Sequence, residues 1–206
     1  MYNQLHISIT TACTMRCPNC SYGMQWRNAK HSTVDEIRAA LEFFDGIEQI
    51  TITGGEATAH PKFDEIALMI RVRFEKSKLG LETNATLYPR WKESLPFFDS
   101  IDASHYTPDS WEGCPDNSKH IHWLLDDYPK LRILEAKHLD MSNNKGDKPC
   151  GRQARAHWSH GLIYGCCAAT GVKGAIGIPL QPGWHEILEA TKLPCGNCIY
   201  GQPVKI

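Results

Sequence analysis

Three cysteines set directly after an alternating strand constrain this chain more than any other feature. Residues 5–10, Leu-His-Ile-Ser-Ile-Thr, alternate apolar and polar side chains as a β-strand does, and Cys13-Thr-Met-Arg-Cys17-Pro-Asn-Cys20 follows at once. The spacing C-x3-C-x2-C lets one short loop wrap three thiolates around a corner of an iron–sulfur cube and leaves the fourth iron open. An open coordination position separates a catalytic metal centre from a closed structural one. Taken by itself, the loop also permits a zinc site built on Cys17 and Cys20. The chain has nine cysteines, an odd number that disulfides alone cannot consume. Cys150, Cys166, Cys167, Cys195 and Cys198 form a second group, and the isolated Cys114 reads as an ordinary thiol.

Composition narrows the setting. A length of 206 residues suits one compact domain, or one with a small appendage, and 42% hydrophobic against 22% charged residues is enough to bury a core. A net charge of −1 excludes a strongly basic nucleic-acid binder, though not a local basic patch. No apolar run approaches membrane-spanning length, and the first residues lack the pattern of a signal peptide. A reducing, cytoplasmic location is expected.

Between the cysteine groups, strands alternate with helices. Ser32 is expected to cap a helix carrying Val34, Ile37, Leu41 and Phe44 on one face. Residues 48–53 read as a second strand ending at Gly54-Gly55. Pro61 opens a helix with a Phe63, Ile66, Ile70, Phe74 stripe. Residues 79–84, 98–104 and 132–138 complete five strands, with room for only a short helix around Pro89–Pro96. Such βα units imply a parallel sheet with its functional loops at the carboxyl ends of the strands. The cysteine loop, Gly54-Gly55-Glu56, Thr83-Asn84 and Ser104-His105 all fall at such ends. After about residue 143 the chain becomes polar and turn-rich, with one helix around Trp184 to Ala190, and this stretch has too little apolar periodicity for a core of its own. His157, Trp158 and His160 there read as a packed loop or as the lining of a substrate path.

The ordered pair of motifs, C-x3-C-x2-C after strand one and Gly54-Gly55-Glu56 after strand two, resembles the radical S-adenosylmethionine (SAM) superfamily over roughly residues 4–140. The resemblance implies an α/β fold, a partial (β/α)5-6 barrel, over residues 1–143. It implies a [4Fe–4S] cluster on Cys13, Cys17 and Cys20. SAM would bind at the open iron and be cleaved by one electron to a 5′-deoxyadenosyl radical that takes a hydrogen atom from the substrate. It also implies SAM contacts at Gly54, Gly55, Glu56, Asn84 and Ser104. The family often has an aromatic residue just before the third cysteine, where this chain has Asn19; Tyr22 is the candidate to pack the adenine instead.

The C-terminal cysteines resemble the shortened auxiliary-cluster domain called twitch, a relative of the SPASM domain, over residues 144–206. That resemblance implies a second [4Fe–4S] cluster on Cys150, Cys166, Cys195 and Cys198, with Cys167 as the alternative to Cys166. A four-cysteine zinc site reads alike in sequence. The expected partners are a small-molecule, nucleoside or peptide substrate and an electron donor of the flavodoxin or ferredoxin kind, with no membrane. Two other functions fit the same residues: modification of a nucleoside or nucleic-acid base, and a non-catalytic iron–sulfur or zinc module. The second of these leaves Gly54-Gly55-Glu56 unexplained.

Overall fold

The computed structural model describes residues 2–17, 20, 28–135, 155–165 and 176–191. Its centre is one eight-stranded sheet in the order β5-β4-β3-β2-β1-β6-β7-β8, comprising β1 (Gln4–Ser8), β2 (Gln49–Thr53), β3 (Lys78–Thr83), β4 (Ser100–His105), β5 (Arg132–Glu135), β6 (Arg155–Ser159), β7 (Leu162–Tyr164) and β8 (Ile178–Pro179). The six strands from β5 to β6 are mutually parallel, and β7 and β8 run antiparallel. The result is a mixed α/β fold. Among the described residues no helix is long and apolar enough to cross a membrane.

One face of the sheet carries the core. Leu5, Ile7, Ile50, Ile52, Leu79, Leu81, Ile101, Ala103, Ala156 and Trp158 are all buried there. Four helices supply the facing layer: α1 (Val34–Leu41), α2 (Phe63–Arg73), α3 (Ser118–Asp127) and α4 (Trp184–Ala190). The expected stripes are the buried ones: Ile37, Leu41 and Phe44 from α1 and its exit, then Phe63, Ile66, Ile70 and Phe74 from α2 and its end. The cap of α1 differs by one residue from expectation. Thr33, not Ser32, accepts from Glu36 N–H, and Glu36 reaches back to the Thr33 N–H at 2.7 Å in a reciprocal capping box. Ser32 is drawn elsewhere, its N–H bonded to Ile9 O at 3.0 Å and its hydroxyl to His160 Nδ1 at 2.9 Å.

His157, Trp158 and their neighbours form a strand rather than a loop. β6 lies against β1 in the register Gln4↔Arg155 to Ser8↔Ser159, so β1 is flanked by β2 and β6. His160-Gly161 then turns the chain into β7 with φ of 47° and 82°, the pair of positive values a two-residue hairpin of right-twisted strands requires. Helix α4 packs back on the N-terminal half. The Trp184 ring lies 5.3 Å from Phe44, and its indole N–H donates to Phe43 O at 3.2 Å. Tyr22, Cys150, Cys166, Cys167, Cys195 and Cys198 lie outside the described residues, as do positions 136–138 of the expected fifth strand.

Candidate functional site

The neck of the cysteine loop is held by backbone pairing. Leaving β1, Thr11 N–H donates to Lys30 O at 2.9 Å, Lys30 N–H to Thr11 Oγ1 at 2.8 Å, and Thr10 and His31 form an antiparallel bridge. The outgoing limb is gripped on its other side by the turn that ends β2. Gly55 N–H donates to Thr10 O at 2.9 Å and Glu56 N–H to Ala12 O at 2.7 Å. This close approach explains the two glycines. A Cβ on Gly54 would stand 2.5 Å from Thr10 O, and one on Gly55 would stand 2.3 Å from Ala12 O. The Gly-Gly pair therefore admits the backbone that delivers Cys13.

Glu56 has a different setting from that of a solvated glutamate. Its side chain is enclosed, at 1% exposure, and four donors hold it: Thr58 N–H at 3.2 Å, Thr58 Oγ1 at 2.6 Å, Thr83 Oγ1 at 2.7 Å and Asn84 N–H at 2.6 Å. Burial raises its pKa, and these hydrogen bonds pull the other way. Glu56 thus fastens the end of β3 to the end of β2. Replacing it with alanine is expected to strip the acceptor from four donors, two of them buried, and to destabilise the metal-free protein by about 2–4 kcal/mol. A urea titration of metal-free wild type and Glu56→Ala measures this; equal midpoints would remove the structural role.

Asn84 extends the network to the cysteines. Its amide donates to Thr14 Oγ1 at 3.1 Å and lies 3.7 Å from Cys13 Sγ, while its Oδ1 accepts from Thr86. Two residues that sequence reasoning missed complete the mouth. Asn117, fully buried, donates to Asn84 O at 2.6 Å and to Ser104 O at 2.9 Å and accepts from Tyr106 N–H at 2.7 Å, tying the ends of β3 and β4 together. Tyr106 sits two residues past Ser104, on the same side of an extended chain, and its hydroxyl is 3.9 Å from Cys17 Sγ. Strand alternation applied one step beyond Ser104 would have found Tyr106. His105 turns away to Glu135 at 3.1 Å and Ser118 at 2.8 Å, as alternation requires.

Cys13, Cys17 and Cys20 carry free thiols; Cys13 feels the charge of Cys17 and Cys20, and Cys17 that of Cys20. Burial, with the charges of Glu56 and the other two sulfurs, pushes Cys13 up to about 12; burial also raises Cys17. Thiols in such a setting stay protonated until a cation replaces the protons. Three soft sulfur donors are the set that an iron–sulfur cluster takes, but among the described residues no three Cys, His, Asp or Glu side chains are gathered closely enough to hold a metal ion.

Residues 7–106 match the family model described as Radical SAM superfamily. This stretch is a Radical SAM superfamily domain. GTP 3′,8-cyclase of Stenotrophomonas maltophilia (strain R551-3) is 34% identical over 91 residues, which is 42% of this chain and 28% of that protein. Molybdenum cofactor biosynthesis protein 1 of Drosophila melanogaster is 30% identical over 94 residues, 43% of this chain and 17% of that protein. The chain thus matches less than a third of the length of either relative. Among solved structures, BtrN in complex with AdoMet and 2-DOIA aligns with a TM-score of 0.68 at 12% identity, covering 93% of this chain and 83% of that one. The SuiB structure from Streptococcus suis aligns at 0.54 with 14% identity, covering 93% and 66%. At these identities the likeness concerns the fold. The matched stretch runs from within β1 through β4 and contains every residue of the mouth named above except Asn117.

Proposed function

We propose that this protein is a radical SAM enzyme, and that Cys13, Cys17 and Cys20 hold a [4Fe–4S] cluster at which SAM is reductively cleaved so that a hydrogen atom can be taken from a substrate. The observation that carries the reading is the grip of Gly54-Gly55-Glu56 on Thr10–Ala12, which joins the two family motifs into one mouth. The cluster supplies an open iron and one electron, delivered by a donor of the flavodoxin or ferredoxin kind. The chain's residues do the rest. The paired neck presents the three sulfurs, Asn84 lies beside Cys13, and Gly54, Gly55, Glu56, Asn84 and Ser104, at the strand ends around the mouth, are assigned to the amino acid and ribose parts of SAM. Tyr22 is assigned to the adenine.

Residues 1–143 form the SAM-binding unit in this reading, built as a partial barrel. Residues 144–206 carry a twitch-like second cluster on Cys150, Cys166 (or Cys167), Cys195 and Cys198. Work in the reducing cytoplasm suits both clusters. A nucleoside or nucleic-acid base as substrate is the second reading, favoured by the similarity to GTP 3′,8-cyclase.

Anaerobic reconstitution is the test. Wild type given dithionite and SAM should release 5′-deoxyadenosine, and Cys13→Ala, Cys17→Ala and Cys20→Ala should each release none, since each removes one of three ligands. Near wild-type release from any of them would sink the assignment. Metal analysis should return about eight iron per chain, two cubes of four. Four iron and one zinc would make the second group a structural zinc site.

A further inference from the structure

Between β4 and α3 the chain runs for 12 residues, 106–117, without a helix or strand. Connections of that length in a compact fold ordinarily carry function. This one is built rather than slack. Asn117 pins its base: the Asn117 N–H donates to Tyr106 O at 3.2 Å, and the Tyr106 N–H donates to Asn117 Oδ1 at 2.7 Å. Two tight turns lie between. The Ser110 N–H donates to Thr107 O at 2.9 Å and the Thr107 N–H to Ser110 Oγ at 3.1 Å; the Cys114 N–H then donates to Trp111 O at 3.0 Å. The turns fold Trp111 back on Tyr106, with ring centroids 5.3 Å apart and planes at 74°.

Neither ring belongs to the core. Both are partly buried, and neither packs on the hydrophobic cluster. Trp91, Trp158 and Trp184 are buried within that cluster, and Trp123 has Lys119 Nζ 4.5 Å from its ring centre. An edge-to-face contact takes the edge of one ring and the face of the other, so Tyr106 leaves at least one face of the Trp111 indole uncovered. The pair stands at the mouth. The Tyr106 hydroxyl is 3.9 Å from Cys17 Sγ, Asn117 joins the ends of β3 and β4, and Cys17 also feels the charge of Cys114 in this loop. Trp111 lies beyond residues 7–106, the stretch shared with the family, and loops outside a shared scaffold are where one substrate is told from another.

We propose that Trp111 is the platform on which the base of a nucleoside substrate stacks, with Tyr106 holding the indole in place. This rests on the reading of the mouth as the SAM site, and it deepens the nucleoside reading by naming the residue that holds the base. An aromatic platform suits a nucleoside because every base has a π-face, whereas a bare sugar has none. Asp109 and Glu112, both exposed and close to Trp111 in the chain, bring carboxylates that accept from the N–H edge of a base such as guanine. Residues 106–117 include no lysine or arginine to take a phosphate.

Equilibrium dialysis of guanosine against the reconstituted, SAM-loaded protein tests this, with ribose as the ring-free control. Wild type should bind guanosine more tightly than ribose, and Trp111→Ala should weaken guanosine by about tenfold, the scale of one lost base–aromatic stack. Trp111→Phe, which keeps an aromatic face, should bind close to wild type. Trp111→Leu, which fills the space without one, should fall with Trp111→Ala. SAM affinity should be equal in all four proteins. Guanosine bound no better than ribose by wild type, unchanged binding in Trp111→Ala, or wild-type binding in Trp111→Leu overturns the proposal. So does a loss of SAM affinity, which would place the adenine of SAM on Trp111 instead. Circular dichroism melts and iron per chain establish that each variant is folded and loaded, and Trp111→Leu keeps the question decidable if Trp111→Ala is not. Release of 5′-deoxyadenosine by wild type without guanosine tests the mouth separately, so failure of one reading is distinguishable from failure of the other.

Discussion

Alanine at position 55 is expected to abolish cluster assembly while leaving a folded sheet. The added Cβ would lie 2.3 Å from Ala12 O, 2.8 Å from Ala12 C and 2.8 Å from Thr11 O. All three are backbone atoms, so no side-chain rotation relieves the clash, and the limb that leads to Cys13 has to move. Overpacking of this kind costs about 1–3 kcal/mol, and here the hydrogen bonds from Gly55 N–H and Glu56 N–H are lost with it. The displaced atoms are one residue from the first sulfur, so iron should fall from about eight to about four per chain and release of 5′-deoxyadenosine by tenfold or more, well beyond the loss in stability. Gly46→Ala is the control. Its φ of 68° strains a side chain, but nothing lies within 4 Å of the new Cβ, and iron uptake should be that of wild type. Full iron content in Gly55→Ala would show that the grip on Thr10–Ala12 does not position the loop.

Mild acid is expected to unfold the metal-free protein. Burial holds His157 neutral down to a pKa of about 3, and burial also lowers His60 and His160. In the unfolded chain these histidines take up a proton near pH 6.5. The folded-state pKa values are depressed, so stability is fully present above pH 6.5 and is lost as pH falls toward the folded values. Two pH units below 6.5, His157 alone accounts for about 2–3 kcal/mol, a large share of a typical domain's net stability. Glu56, whose pKa is raised, acts in the opposite sense over the same range, one group against three. Urea midpoints measured from pH 7 to 4.5 should fall steadily, and His157→Phe should flatten the curve. A midpoint independent of pH, or an unaltered slope in His157→Phe, would contradict the burial argument.

Features whose pattern is local are legible in the sequence itself. The alternation in residues 5–10, the Ile37–Leu41–Phe44 and Phe63–Ile66–Ile70 stripes and the Gly54-Gly55 pair each report on neighbours a few positions away. What escapes such a reading depends on distant partners. β6 is hidden because Ala156, His157 and Trp158 are buried on both faces and so show no hydrophobic period. Asn117 is an ordinary polar residue until the ends of β3 and β4 lie beside it. Ser32 and Thr33 are equivalent caps in sequence, and only the bonds from Ser32 to Ile9 and His160 decide between them. In sequence the Gly-Gly pair signifies space for a ligand, whereas the close approach found is that of Thr10–Ala12.

The place of β1 between β2 and β6 governs the order in which the fold can be made. Pairing with β2 closes over about 45 residues, but the register Gln4↔Arg155 joins positions 151 apart in the chain. During synthesis, β1 through β5 can assemble as successive local units, while the outer edge of β1 waits, unpaired, until residue 159 has left the ribosome. An open parallel edge carrying Leu5 and Ile7 is a template for another chain. Closing it so late makes refolding slow for a chain of this size, and the half-made sheet, not the finished one, is the species most exposed to aggregation.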